Sequence, residues 1–119
     1  MHRITLTIIL LLAATCADAA WYQKTDGTIV DPIQFWMGGD LEYAGNNLES
    51  GADLSGANLS GAVLTNADLE SVDLENAGLS DSILTGADLN NASMSGAFLL
   101  STNLTGASLR SADLTNATL

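Results

Sequence analysis

Leucine recurs at every fifth position through the second half of the chain. The series runs from Leu54 to Leu119, and Met94 is the one substitution among its 14 positions. A small residue stands two places before each position of the series, and 11 of these 14 are alanine. An α-helix repeats its faces every 3.6 residues, so it cannot keep this period on one side. The pattern therefore predicts short extended pieces rather than a helix.

A turn-forming residue stands two places after each of the first 13 positions of the series. In an extended piece, residues two apart point to the same side, so the small residue and the leucine face inward together. Because five is an odd number, the chain has to turn once in every unit. Units that cannot bury their own face stack into a solenoid. The predicted corners all carry types that tolerate or cap tight turns: Gly56, Gly61, Asn66, Ser71, Asn76, Asp81, Gly86, Asn91, Gly96, Ser101, Gly106, Ser111 and Asn116.

The tandem units resemble those of the pentapeptide-repeat family. Ala-Asp-Leu-Ser-Gly at 52–56 and Ala-Asn-Leu-Ser-Gly at 57–61 carry the resemblance, which extends over residues 52–119. It implies an all-β fold, a right-handed quadrilateral β-helix with four units per coil, so that 14 units make about 3.5 coils. It also implies a core of stacked side chains: Leu54, Leu59, Leu64, Leu69, Leu74, Leu79, Leu84, Leu89, Met94, Leu99, Leu104, Leu109 and Leu114.

Residues 1–19 have the three parts of a secretory signal peptide. A basic residue precedes an apolar run at 4–14, and an Ala-Asp-Ala site for a signal peptidase follows. The run is shorter than the ~20 residues that span a bilayer. We therefore predict cleavage between Ala19 and Ala20 and a secreted or periplasmic protein. An uncleaved anchor, a buried first strand and a lipoprotein modified at Cys16 are the alternatives.

Residues 20–50 form a predicted N-terminal cap segment ahead of the β-helix at 51–119. The pieces at 21–24 and 28–33 flank Asp26-Gly27, which is a hairpin signal. A solenoid needs such a cap to cover the open end of its first coil. The alternative is that exposed aromatic side chains of this segment bind a partner or a glycan. The segment holds Trp21, Tyr22, Phe35, Trp36 and Tyr43.

Charge and composition exclude several functions. The chain has 14 acidic residues against 3 basic ones and a formal charge of −11, so it has no basic patch with which to bind nucleic acid directly. The single histidine, His2, and the single cysteine, Cys16, both leave with the signal peptide. A Ser-His-Asp triad, a cysteine nucleophile and a histidine-ligated metal are then excluded. Carboxylates on a convex face lack a pocket, so we predict no enzymatic activity and no cofactor.

The family geometry stacks residues 20 positions apart and so sorts the outer side chains into two edges. The acidic edge is a candidate interaction surface that comprises Asp53, Asp68, Glu70, Asp73, Glu75, Asp88 and Asp113. A solvated face that keeps the coil soluble, a Ca²⁺ site and a basic protein partner are its three interpretations. The apolar edge is a candidate contact surface that comprises Val63, Ile83, Phe98 and Leu100.

These features favour a non-enzymatic, exported scaffold or protein-interaction module with an unknown protein partner. A homodimer through the uncapped C-terminal coil or through the apolar edge is one form of this function. The alternative is an acidic DNA mimic that binds DNA gyrase or another nucleic-acid-binding protein, as the resemblance to quinolone-resistance members of the family implies. The signal peptide, the short column and the missing C-terminal dimerising helix count against that alternative.

Overall fold

The structure is a computed structural model that describes residues 20–31, 33–39, 41 and 47–119. The predicted signal peptide, with Cys16, and Tyr43 of the predicted cap lie outside these residues. The described part contains no helix, and therefore none that is long and apolar enough to cross a membrane. Its β-structure consists of isolated bridges and four short strands: β1 (Tyr22–Gln23), β2 (Ile29–Val30), β3 (Gln34–Phe35) and β4 (Ala62–Val63).

Parallel bridges join residues that are 20 positions apart in the repeats. Asp53 pairs with Asp73, and Ile83 pairs with Asn103. Neighbouring N–H groups donate in opposite directions: that of Asp73 binds the carbonyl of Ala52 at 2.9 Å, and that of Leu74 binds the carbonyl of Ser93 at 2.7 Å. The chain is therefore a β-helix-like solenoid whose successive coils are hydrogen-bonded edge to edge. Its right-handed sense and its count of about 3.5 coils stay predictions of the resemblance.

Each corner is a tight turn with a left-handed residue. The N–H of Ala57, for example, donates to the carbonyl of Leu54 at 3.0 Å, and the intervening Gly56 has φ of 67°. Every corner position that the sequence predicts has φ between 57° and 76°, and eight of these positions are not glycine. A single positive φ at the third position defines a type II turn, in which glycine and asparagine are favoured.

The inward-facing leucine and methionine side chains of the repeats are buried through the middle of the solenoid and become more exposed toward its last coil. The repeated side chains from Leu54 to Leu99 are at most 3% exposed. Leu104, Leu109 and Leu114 are only partly buried, because no other coil among the described residues packs on their outer side. The prediction that these three are full members of the core therefore needs correction.

Two inward side chains depart from the simple leucine and alanine pattern. Leu48 is completely buried although it lies out of phase with the five-residue series. Ser82 occupies an inward alanine position and is 1% exposed. Its hydroxyl donates to the carbonyl of Leu79 at 2.6 Å, so this buried polar group is satisfied.

The N-terminal segment lies on the first coil. Strands β1 and β2 pair antiparallel across the turn that contains Asp26 and Gly27. Beyond this hairpin, the N–H of Gln23 donates to the carbonyl of Leu48 at 3.0 Å, and the N–H of Asp68 donates to the carbonyl of Gln23 at 2.6 Å. Strand β3 pairs antiparallel with β4 of the first coil. The segment thus satisfies backbone groups that an exposed sheet edge would leave unpaired.

Candidate functional site

The residues of the predicted acidic edge lie in two neighbouring columns. Asp53 and Asp73 are bridge partners in one column, and Asp68 and Asp88 are bridge partners in the next. Like charges on directly paired residues repel one another. This edge therefore concentrates negative charge along the axis of the solenoid.

Most of these carboxylates also have a local structural role, which is to accept a backbone hydrogen bond. In each case Oδ1 accepts the backbone N–H of the residue two places later, at 2.9 to 3.4 Å, which is an Asx turn. Asn58 and Asn103 accept the equivalent bond at 3.2 and 3.0 Å, so the bond does not require a charge. The acidic residues that form this turn are Asp53, Asp68, Asp73, Asp88 and Asp113.

Hydroxyl groups hold two of the carboxylates in the ionised form. The Ser55 hydroxyl donates to Asp53 at 2.7 Å, and the Thr115 hydroxyl donates to Asp113. These side-chain bonds, with the backbone bonds from the same residues, lower the pKa of both aspartates below the ordinary value. Both groups remain charged well below neutral pH.

The described residues do not form a cation-binding site. Within that part of the chain, no group of three or more acidic, histidine or cysteine side chains converges as metal ligands do. Calcium takes six to eight oxygen ligands in proteins. Among the described residues, the acidic columns therefore do not assemble the set of ligands that calcium takes.

The predicted apolar edge is divided between two adjoining faces. Val63 and Ile83 are bridge partners on one face, and both are partly buried. Phe98 is 52% exposed on the neighbouring face, and Leu100 is 59% exposed at the corner between them. Large exposed apolar side chains that share one corner are typical of a contact surface.

A shallow pocket of about 180 Å³ opens at this same corner. Its lining contains Trp36 from the cap segment, Ile83 from the apolar edge and the carboxylate-bearing Asp81. Trp36 is 51% exposed, and its backbone N–H donates to the carbonyl of Gly61 at 2.9 Å. The pocket is completed by Ser82, Ser101 and Asn103. We call this pocket, lined by Trp36, Asp81, Ser82, Ile83, Ser101 and Asn103, the corner pocket.

The sequence singles out residues of this pocket only separately, without indicating that they lie together. Ile83 belongs to the predicted apolar edge, Trp36 to the cap aromatics, and Asp81 is the one acidic residue of the repeats outside the acidic edge. The parallel register between coils stacks Asp81 beneath Ser101. Placing Trp36 beside them requires the pairing of β3 with β4, and no pattern in the sequence predicts that pairing.

The protein is a β-solenoid built from five-residue units. Three features define this class: the parallel register between coils, the left-handed corners and the leucine core. The sequence model of the family described as "Pentapeptide repeats (8 copies)" matches residues 50–81 and 82–119. The chain therefore belongs to the pentapeptide-repeat family.

Two solved structures are similar to this chain. One is a pentapeptide-repeat protein from the thylakoid lumen of Arabidopsis thaliana, with 34% identity over 57% of this chain and 50% of that chain, at a TM-score of 0.33. The other is a pentapeptide-repeat protein from Nostoc, with 33% identity over 55% of this chain and 62% of that chain, at a TM-score of 0.22. The matched region thus spans half to three-fifths of those proteins. Among curated proteins, no sequence matches.

Proposed function

We propose that this protein is a non-enzymatic interaction module that binds a protein through the corner at which the cap meets the apolar edge. The observation that carries the proposal is the exposure of Phe98 at 52% and Leu100 at 59%, beside the corner pocket. Burying such side chains against a partner removes apolar surface from water and favours association. We call Trp36, Ile83, Phe98 and Leu100 the corner surface.

The geometry of the solenoid supports this role. Ile83, Phe98 and Leu100 lie on coils that are joined by backbone hydrogen bonds, and Trp36 is bonded to the first coil through the carbonyl of Gly61. The side chains of the corner surface are thus held by a rigid frame. Aromatic residues are enriched in protein interfaces, and the corner surface combines Trp36 and Phe98 with aliphatic neighbours. Polar rim residues such as Ser101 and Asn103 border it.

Site-specific photo-cross-linking in the native host tests the proposal. The photoreactive amino acid p-benzoylphenylalanine would replace Leu100 in one variant and Glu75, on the acidic edge, in the matched control. Both positions are exposed, so neither replacement disturbs the core. We expect a cross-linked adduct from position 100 and none from position 75. The mass of the adduct distinguishes a second copy of this chain from a different protein.

Two results would contradict the proposal. Equal adducts from both positions would show that contact is not confined to the corner surface. A lack of adducts from position 100, in cells where the protein is folded and abundant, would show that this surface is unoccupied.

Export is a further part of the proposed function. It is supported by the signal-peptide pattern of residues 1–19, which ends in a small-residue cleavage site before Ala20. The proposed partner is then a protein of the periplasm or the extracellular space. N-terminal sequencing of the protein recovered from its host tests this: a chain that begins at Ala20 is expected, and one that keeps Met1 would reject cleavage.

The proposed architecture is the right-handed quadrilateral β-helix of about 3.5 coils that the family resemblance implies. It is supported by the parallel bridges between positions one coil apart, such as Asp53 with Asp73, and by the stacked corners. An experimental structure would fix the hand and the number of coils directly.

The acidic DNA mimic is the weaker candidate. Its support is the negative charge along the two acidic columns. Five of the seven acidic side chains on that edge are already engaged in Asx turns, and Asn58 and Asn103 form the same turn without a charge. A local structural role thus accounts for much of the acidic edge without a gyrase-like partner.

A further inference from the structure

The corner pocket joins an aromatic wall to an acidic rim. Trp36 and Ile83 are the large apolar residues of its lining, and the exposed Asp81 is its acidic residue. The described lining contains no Lys or Arg, so none of the described residues places a cation in the pocket. We propose that the corner pocket binds an arginine side chain of the partner protein, an inference that rests on the proposed function and specifies its chemistry.

Asp81 differs from the aspartates of the acidic edge. Those aspartates accept the N–H two residues later, whereas Asp81 sits at a corner position with φ of 61° and its carboxylate accepts no hydrogen bond from another described residue. Its backbone N–H is occupied by the carbonyl of Leu100 at 2.9 Å. The backbone of Asp81 is therefore fixed, while its carboxylate oxygens remain able to bind a ligand.

A guanidinium group matches this arrangement better than an ammonium group does. It is planar and weakly hydrated, it stacks on aromatic faces, and it forms paired hydrogen bonds with a carboxylate. The net charge of −11 attracts a cationic partner over a longer range. A lysine would bring a compact, strongly hydrated charge to a mainly apolar wall.

The other polar rim groups suit the peptide that carries the arginine. Oδ1 of Asn103 already accepts the N–H of Thr105 at 3.0 Å, so the amide nitrogen of Asn103 is left to donate. A backbone carbonyl of the bound peptide is the acceptor that such a donor needs. The hydroxyl of Ser101 can accept one of the remaining guanidinium N–H groups.

An NMR titration of the ¹⁵N-labelled protein with N-acetyl-arginine methylamide tests the inference. The indole N–H signal of Trp36, assigned by its loss in Trp36→Phe, is expected to shift with added probe, whereas that of the buried Trp21 stays in place. The citrulline analogue has the same planar shape without the charge, and we expect it to bind about tenfold more weakly. Added salt should weaken the binding of the arginine probe.

Asp81→Asn is the decisive variant. Asparagine occupies the same left-handed corner position at Asn66, Asn76, Asn91 and Asn116, so the fold is expected to persist. Affinity for the arginine probe should fall about tenfold. Glu70→Gln removes a charge from the acidic edge and serves as the matched control, with less than a twofold effect expected.

Three results would overturn the inference: equal affinity for the arginine and citrulline probes, an unchanged affinity in Asp81→Asn, or a Trp36 shift with a monosaccharide but not with the arginine probe. The last would assign the pocket to carbohydrate. Failure of the two proposals can be told apart. If position 100 gives no adduct but the arginine probe binds, the protein-partner proposal fails and the chemistry of the pocket stands. If adducts form but the probe does not bind, the arginine inference alone fails.

Discussion

The backbone N–H of Trp36 donates to the carbonyl oxygen of Gly61 across 2.9 Å. This bond joins the cap segment to the first coil of the solenoid. The ring of Phe35 lies so close to Gly61 that a Cβ atom there would clash with two of the ring carbons. The cap therefore sits where it does because residue 61 has no side chain.

Gly61→Ala is expected to destabilise the protein more than Gly56→Ala. Both glycines have positive φ, at 76° and 67°, so each substitution carries the cost of a left-handed alanine, about 1 kcal/mol. Only the alanine at 61 also displaces Phe35, which should add about 1–3 kcal/mol. Urea denaturation of both variants measures the difference. Equal losses would mean that the cap does not pack on this corner.

The effect of replacing Asp73 on stability should depend on whether the new side chain can accept a hydrogen bond. Oδ1 of Asp73 accepts the N–H of Glu75 at 3.0 Å, and asparagine keeps that acceptor. We expect Asp73→Asn to change stability by less than about 0.5 kcal/mol, with a small gain at low salt because Asp53 loses a like-charged bridge partner. Asp73→Ala should lose about 1 kcal/mol. Thermal melts that rank the two variants in reverse order would reject the Asx-turn role.

The pKa of Asp113 provides a test of the hydroxyl bonds on the acidic edge. The Thr115 hydroxyl lowers this pKa in the folded protein, so the folded state binds the proton more weakly than the unfolded state does. The resulting stability is present above the unfolded value of about 3.9 and is lost as pH falls through the folded pKa. Thr115→Ala should raise the pKa of Asp113 toward that ordinary value in a carboxyl ¹³C NMR titration.

Thr105→Ala is the matched control for this titration. Thr105 occupies the equivalent position beside Asn103, which carries no charge. The pKa of Asp113 should be unchanged in the control. Identical titration of Asp113 in the wild type and in Thr115→Ala would show that the hydroxyl bond does not form in solution.

The repeat region could be predicted from the sequence because its signals are local. The period of five and the turn formers specify the corners, and every predicted corner has the expected positive φ. The inward assignment holds from Leu54 to Leu99. From Leu104 onward the side chains are only partly buried, because burial depends on a neighbouring coil. The spacing of the leucines does not reveal whether such a coil is present.

The cap and the corner pocket required tertiary information. Leu48 is buried because strand β1 packs beside it and takes the place of a preceding coil. Trp36 lines the same pocket as Asp81, which lies much further along the chain, because β3 pairs antiparallel with β4. The hydrophobic pattern of a two-residue strand is too short to specify such a pairing.

Amide hydrogen exchange tests the parallel register between coils, which assembles the corner surface. Ser93 and Met94 donate to different neighbouring coils, through the carbonyls of Val72 and Asp113 at 2.9 and 2.7 Å. One coil later, Asp113 donates to Ala92 at 2.9 Å, whereas the Leu114 N–H meets no acceptor among the described residues.

We therefore predict slow exchange at Ser93, Met94 and Asp113 and fast exchange at Leu114. Equal protection of Asp113 and Leu114, or fast exchange at Met94, would contradict the register. Asp81 and Ser101 would then no longer stack, and the corner pocket would not form.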